Sequence, residues 1–184
     1  MANTLTLDDL KSDVKNKVYL QDYSPKNQIE DVKIVEVKPH VGHDGDFCEI
    51  VKINQNQEVE AFPGFKIAQL NYSSIFPGAI KAWHLHYNQD EIWYVAPQFN
   101  LVVGLWDIRQ NSKTSGVTTK ISLGGSRSVL LYIPRGVAHG VMNNSQKTAS
   151  LLYIVNNVFN PNKPDENRLP WDAQGDSFWL PDKD

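Results

Sequence analysis

Apolar and polar positions alternate over short distances along this 184-residue chain, and turn-forming clusters interrupt them at short intervals. Near the start, Thr6 followed by Asp8 and Asp9 offers an N-cap with acids in the first turn, which predicts a short helix over 7–14. Beyond it the pattern turns to strands. The stretch DVKIVEVK (31–38) holds Val32, Ile34, Val35 and Val37 and reads as a strand by composition, since its alternation is imperfect. Further strands are expected over 46–53, 64–73, 79–87, 91–96, 100–109, 117–122, 128–133, 137–142 and 149–159, separated by turn signals such as HDGD, NQD, NSKTSG and PRG. Many short strands with almost no helical periodicity predict an all-β sandwich or barrel. After Phe159 the chain is rich in Pro, Asn and Asp, yet it retains Leu169, Trp171, Phe178, Trp179 and Leu180, so this tail should pack across the barrel.

The length suits a single domain over 1–184, divided into an N-terminal arm with strands (1–45), a barrel (46–159) and a C-terminal tail (160–184). A net charge of −3, with Lys and Arg scattered, offers no basic face for nucleic acid or an anionic membrane. Apolar runs such as 151–155 are far shorter than the roughly 20 residues that span a bilayer. The N-terminus carries acids where a signal peptide needs positive charge, and Cys48 stands alone, so a cytoplasmic protein without intrachain disulfides is expected.

Chemistry is concentrated in GAIKAWHLHYNQDEIWYV (78–95). His84 and His86, one residue apart, leave the same face of a strand about 6–7 Å apart at Cα, close enough for both imidazoles to meet one ion. The segment YNQD then reads as a turn, and Glu91 opens the returning strand with a carboxylate near the pair, while Asp90 faces the other way. A third histidine, His139, follows the Pro134-x-Gly136 turn in YIPRGVAHGVMN. Trp83, next to His84, should face away from the ion, into the barrel wall or a partner, and Trp93 shares parity with Glu91 and is a candidate stacking surface. His40 and His43 fit a solvated turn.

These residues resemble the two motifs of the cupin superfamily. Gly78-x5-His84-x-His86-x4-Glu91 matches the first, with Gln98 at its closing glycine; Pro134-x-Gly136-x2-His139-x3-Asn143 matches the second, with Ser128 at its leading glycine. The resemblance implies a double-stranded β-helix (jelly-roll) barrel. It also implies one divalent metal, Zn, Ni, Mn or Fe, held by His84, His86, Glu91 and His139.

From Ala68 to Trp179 the chain further resembles one cupin branch, the dTDP-4-dehydrorhamnose 3,5-epimerases. The similar segments are AQLNYS (68–73), HLHY (84–87), GLWDIRQNSKTSG (104–116), IPRGVAHGV (133–141) and WDAQGDSFW (171–179). This implies an enzyme that inverts carbons beside a ketone through an enolate, a homodimer with exchanged N-terminal strands, and Gln69 and Asn71 as nucleotide contacts. In that family a histidine base, a lysine, a tyrosine acid and phosphate-binding arginines do the work. Carried over, the base falls on His86 and the second histidine on His139. The lysine falls on or beside Ile92, the tyrosine on Val158 or Phe159, and the arginines on Trp83 and Asp44.

The departures suit a metal replacing the lysine as electrophile. A histidine bound to metal cannot abstract a proton, so the base should come from elsewhere: Tyr87, Tyr94, Tyr153, Lys81, Glu166 or Asp172, with Glu166 and Asp172 favoured. Gln69, Asn71, Trp93 and Tyr153 are the expected substrate contacts. The leading expectation is thus a metal-dependent isomerase or epimerase of a keto-sugar, a small-molecule substrate. An Fe(II) oxygenase and a non-catalytic binding barrel are the alternatives, and Lys81, Arg109 or Arg135 could replace the lost phosphate arginines.

Overall fold

A computed structural model describes residues 4–24 and 28–181; the first three residues of the arm and the last three of the tail lie outside it. Twelve strands are formed among the described residues: β1 (Lys33–Glu36), β2 (Pro39–Val41), β3 (Asp46–Cys48), β4 (Gln69–Ile75), β5 (Ile80–Leu85), β6 (Glu91–Tyr94), β7 (Asn100–Asp107), β8 (Thr118–Gly124), β9 (Val129–Ile133), β10 (Val137–Met142), β11 (Ala149–Val155) and β12 (Asn167–Arg168). They build a jelly roll from two antiparallel five-stranded sheets, ordered β1-β9-β6-β11-β4 and β12-β5-β10-β7-β8, beside a β2-β3 hairpin. Among the described residues no helix is long and apolar enough to cross a membrane.

Period-two alternation sorts side chains between the layers. Leu101, Val103 and Leu105 of β7 meet Val129, Leu131 and Ile133 of β9 in the core between the sheets. Leu130 and Ile92 point outward instead, beneath Val59, Phe62 and Phe65 of the loop before β4. On the far side Trp83, fully buried, packs with Trp179 at a ring distance of 5.0 Å and with Trp106 at 6.1 Å. The tail therefore covers the second sheet as expected, and Trp83 does face the wall.

Several expected elements are shorter. Residues 7–14 become a 3-10 turn (Leu7–Asp9) and one helical turn (Ser12–Lys15), because no residue in either is buried and packing supplies nothing to extend them. The expected strand 46–53 stops at Cys48, and 64–73 starts only at Gln69; Phe65 is instead a core plug in the intervening loop. β1, inside the segment read as an arm, pairs with β9 as the outer strand of the first sheet.

Two local devices position the site. The first is a β-bulge. Opposite β10, His84 pairs with His139 and Lys81 with Val141, so three steps on β5 match two on β10. The extra residue lets Lys81 share the inner face with His84 despite their odd separation. Gly140 makes room for it: a Cβ there would lie 2.3 Å from the Ala82 Cβ and 2.9 Å from the Lys81 carbonyl oxygen. The second is a buried aspartate. Asp107 Oδ1 accepts from Arg109 Nε (2.9 Å), and Oδ2 accepts from Arg109 Nη2 (3.0 Å) and Thr114 Oγ1 (2.7 Å). Arg109 then reaches Asp31 Oδ2 (3.0 Å) and the Glu30 carbonyl (2.7 Å), tying the chain before β1 to the end of β7.

Gly140→Ala is expected to lower unfolding stability by about 1–3 kcal/mol in urea titration, the usual cost of overpacking. Burial acts to raise the Asp107 pKa, but Arg109, Ser112 and Thr114 outweigh it and hold the carboxyl far below its ordinary value of 3.8. The stability this contributes is complete above the unfolded value and is lost as pH falls towards the folded one. Asp107→Asn should thus cost about 2–4 kcal/mol at pH 7. Urea titrations repeated below about pH 4 should find that gap narrowing.

Candidate active site

Between the sheets lies a cavity of about 830 Å³, lined from β4, β5, β6, β10, β11, β12 and residues 157–166 of the chain after β11. His84, His86, His139 and Glu166 line it, facing Glu91, Asn71 and Tyr153 of the other sheet. His84 lies on β5, His86 just beyond its end, and His139 on the adjacent β10; Glu91 opens β6 in the opposite sheet.

Of the four residues expected to meet at one point, three do. The ligating atoms of His86, Glu91 and His139 all lie within 4.8 Å of one another, and all three side chains are buried. His86 Nε2 is 3.1 Å from Glu91 Oε1, and His139 Nε2 is 3.5 Å from Glu91 Oε2. Each ring turns its other nitrogen to the main chain. His139 Nδ1 donates to the Val137 carbonyl (3.0 Å) and His86 Nδ1 to the Asp165 carbonyl. A carbonyl can only accept, so both Nδ1 atoms carry hydrogen. Gln89 Nε2 (2.7 Å) and Trp93 Nε1 donate to Glu91 from the sides.

His84 stands apart from this group. Its Nδ1 meets Glu166 Oε1 at 2.6 Å, and its ring stacks on His139 with centroids 5.9 Å apart. Glu166 also takes Arg168 Nε at 2.9 Å, and its Oε2 lies 3.9 Å from His86 Nε2. The tail supplies this carboxylate because β12 pairs with β5, placing Arg168 opposite His84.

Burial acts to raise the Glu91 pKa; His139, His86 and the Trp93 N–H outweigh it and leave the carboxyl at about 2. Burial drives His139 down to about 4, against the pull of Glu91. His139 is therefore neutral at neutral pH. Burial also works against a charge on His86, but Glu91, the Asp165 carbonyl and Glu166 outweigh it, so its pKa is raised. Of the two imidazoles facing Glu91, His86 is thus the more readily protonated. For Glu166, burial is outweighed by His84, His86 and Arg168, and the pKa falls. Burial, then Glu91 and Glu166, raise the Tyr153 pKa, so the phenol stays protonated.

Other expected residues fall differently. Gln69 and Asn71 line the cavity and bond to each other, Gln69 Nε2 donating at 2.6 Å. Trp93 lines it too, but it is 4% exposed and edge-on to His139, so it walls the triad and offers little stacking surface. Tyr87 points outward, 63% exposed, and Asp172 sits in an exposed turn; neither lines the cavity. That corrects their expected catalytic placement: the turn after His86 throws Tyr87 outward, and the tail reaches the cavity through 157–168, before Asp172. Asp165 is a residue the sequence reading missed. Its carboxylate accepts from Tyr87 N (2.9 Å) and Asn88 N (2.7 Å), pinning the β5–β6 turn while its carbonyl orients His86. Adjacency to Glu166 was the only sequence signal for it. Asp90 faces away from Glu91 as expected, clamped by Arg135 Nη2 (2.8 Å) and Asn156 Nδ2 (2.8 Å).

Comparison with known proteins gives this geometry a setting. The family model for dTDP-4-dehydrorhamnose 3,5-epimerase matches residues 26–177. The chain is similar to the spore coat polysaccharide biosynthesis protein SpsL of Bacillus subtilis (strain 168), with 36% identity over 150 residues, 82% of this chain and 95% of the relative. It is also similar to the dTDP-4-dehydrorhamnose 3,5-epimerase of Shigella flexneri, with 31% identity covering 79% of this chain and 80% of that one. Among solved structures, a dTDP-6-deoxy-D-glucose-3,5-epimerase from Legionella pneumophila Philadelphia 1, in complex with dTDP-4-keto-L-rhamnose, superimposes with a TM-score of 0.68. Identity is 25%, over 80% of this chain and 78% of that chain.

Proposed function

We propose, from the premise that the chain belongs to the dTDP-4-dehydrorhamnose 3,5-epimerase family and is a sugar epimerase of that type, that its substrate is a nucleotide-linked 4-keto sugar inverted beside the ketone. The observation that carries this reading is a histidine–carboxylate pair on one wall of the cavity and a protonated tyrosine on the other. Inversion needs both: a base on one face of the ring and an acid on the opposite face.

His84 with Glu166 is the basic side. A carboxylate only accepts, so Glu166 holds the proton on His84 Nδ1 and leaves the Nε2 lone pair free. That nitrogen takes the proton from the carbon next to the ketone, and the electron pair moves onto the carbonyl oxygen. Tyr153, on β11 of the other sheet, returns a proton to the opposite face. His86, held by Glu91 and the Asp165 carbonyl and with its pKa raised, faces the developing enolate and, when protonated, stabilises it electrostatically. In this reading the base moves from His86 to His84, and Glu166 orients it.

A second reading has one specific observation in its favour. His86 and His139 both donate Nδ1 to main-chain carbonyls and turn Nε2 to the Glu91 carboxylate, the arrangement of imidazole ligands around a divalent cation. An ion bound there would polarise the ketone as a Lewis acid. Enzymes of this family are metal-independent, so the charge on His86 is the first reading. A cytoplasmic homodimer is part of the proposal; the outward row Leu70, Tyr72 and Phe76 along and just beyond edge strand β4, each more than 60% exposed, supports a second copy there.

Incubation with a dTDP-linked 4-keto-6-deoxy sugar in deuterium oxide tests the chemistry. Wild type is expected to exchange and invert. Tyr153→Phe should keep exchange from the base face while inversion falls by about 10²-fold or more, and His84→Gln should lose both by about 10²–10⁴-fold. Wild-type exchange in His84→Gln would remove His84 from the base role. Elemental analysis of protein purified without chelator should find metal well below one equivalent, with turnover surviving EDTA. About one equivalent, lost in His139→Ala, would hand the electrophile's role to the ion.

A further inference from the structure

Asp90 is a buried acid for which the proposed reaction has no use. It stands one residue before β6 and points away from the cavity, yet each segment it holds leads into the cavity. Two strands end and a third begins beside it. Glu91 pairs with Ile133, the last residue of β9, and with Val155, the last residue of β11. From β9 the chain turns through Pro134, Arg135 and Gly136 into β10, crossing to the second sheet with His139. From β11 it enters the stretch that returns Glu166 to His84.

Both departures are fastened to one carboxylate. Asp90 Oδ1 accepts from the Arg135 main-chain N–H (2.8 Å) and from Arg135 Nε (2.9 Å). Oδ2 accepts from Arg135 Nη2 (2.8 Å) and Asn156 Nδ2 (2.8 Å). Asn156 Oδ1 accepts the Asp90 N–H in return (2.8 Å), so the first residue beyond β11 is held from both ends of its amide. Next to Arg135, Gly136 donates its N–H to the His86 carbonyl (2.9 Å), which ties the same turn to the chain just past β5. A guanidinium fork on a carboxylate fixes orientation as well as distance. Arg135 is half exposed and does not line the cavity, so its bonds serve the turn rather than a substrate. The consequence lies inside. Glu91 comes from one sheet, His84 and His139 from the other, and their separations at this end of the barrel are set where the chain crosses between the sheets. Asp90 sits at that crossing. A displacement of about 1 Å at reacting groups can cost about a hundredfold in rate, so a rigid crossing has kinetic value.

We propose that Asp90 is a positioning residue of the reaction: through Arg135 and Asn156 it keeps the Glu91 cluster and the His84–Glu166 pair in register across the cavity. The inference rests on the epimerase reading for its substrate, but imidazole proton resonances test it without turnover.

Asp90→Asn leaves an oxygen for Arg135 but turns an amide towards two donors, Arg135 Nη2 and Asn156 Nδ2. With the dTDP-linked 4-keto-6-deoxy sugar it is expected to lower kcat about tenfold or more while KM changes by less than about threefold. Combining it with Asn156→Asp returns an acceptor to that point and should recover most of kcat. In proton NMR, the His84 Nδ1 hydrogen shared with Glu166 and the His139 Nδ1 hydrogen on the Val137 carbonyl should give separate downfield signals, assigned by their loss in His84→Gln and His139→Gln. Asp90→Asn should move both. Asn156→Ala, which keeps every Arg135 bond, should weaken the first, spare the second and itself lower kcat; it carries the test if Asp90→Asn does not fold. Unmoved signals in the folded variants overturn the proposal whatever kcat does, and so does wild-type kcat in them; a loss of urea stability alone would leave Asp90 a structural clamp. A rise in KM at full kcat overturns it in favour of a substrate contact. Signals that move as expected in an enzyme showing no deuterium exchange would sink the epimerase reading and leave the clamp's hold on the histidines standing.

Discussion

The contact on which the site depends is the bare approach of Gly140 to Ala82. A strand pair without a bulge would turn Lys81 away from the face that carries His84, because side chains reverse at every step. An extra residue in β5 restores them to one wall, and the resulting crowding is tolerable only where the partner strand has no Cβ. The same displacement lets Ala82 and Trp83 both face outward, where Trp83 receives Phe178 and Trp179. One irregularity therefore sets the charges inside the cavity and the apolar seat for the tail outside it. The tail, so seated, returns Asp165 and Glu166 to the cavity mouth.

Glu91 illustrates how a buried charge is tolerated here. Removing a carboxylate from water costs several kcal/mol unless it is paired and hydrogen-bonded. Glu91 has four neighbours: two imidazoles, the Gln89 amide and the Trp93 indole. The imidazoles are fixed in turn by main-chain carbonyls. A cluster whose members each have a defined partner holds its geometry before substrate arrives, which is what electrostatic stabilisation of a developing oxyanion requires. Its burial also separates duties. The partly exposed His84 has access to solvent, whereas the enclosed His139 has little.

Much of this was legible in the sequence, for physical reasons that can be named. Short β-branched runs between turn signals gave the barrel, and the parity of His84, His86 and Glu91 brought imidazole and carboxylate together. Asp107, Arg109 and Ser112 are similar to a family segment, and the structure gives the cause: a buried aspartate that must keep its donors. What parity could not give was the bulge, since nothing in IKAWHL marks an extra residue; the mark is on the partner strand, in Gly140. Nor could spacing decide between a four-ligand set and a triad beside a separate pair. That depended on Glu166, 82 residues from His84, competing for one ring nitrogen. The extent of 46–53 and 64–73 was overestimated because apolar residues there serve the outer cluster as loop plugs rather than as strand positions.

In the proposed reading the family's roles are redistributed in this chain rather than lost. Where the family has a glycine before its base, this chain has His84, and a second imidazole at that point needs a carboxylate to fix its tautomer; Glu166 supplies it. In the proposed mechanism His84 accepts the proton, and His86, held by Glu91 and with its pKa raised, takes the place of the missing lysine. The outward Trp83 packs under the tail, while Lys81, two residues earlier, lines the inner wall. Each replacement requires the next. A lysine at position 81 serves the cavity only with the bulge, the bulge only with Gly140, and the outward Trp83 only with a tail that covers it and carries Glu166 back to His84.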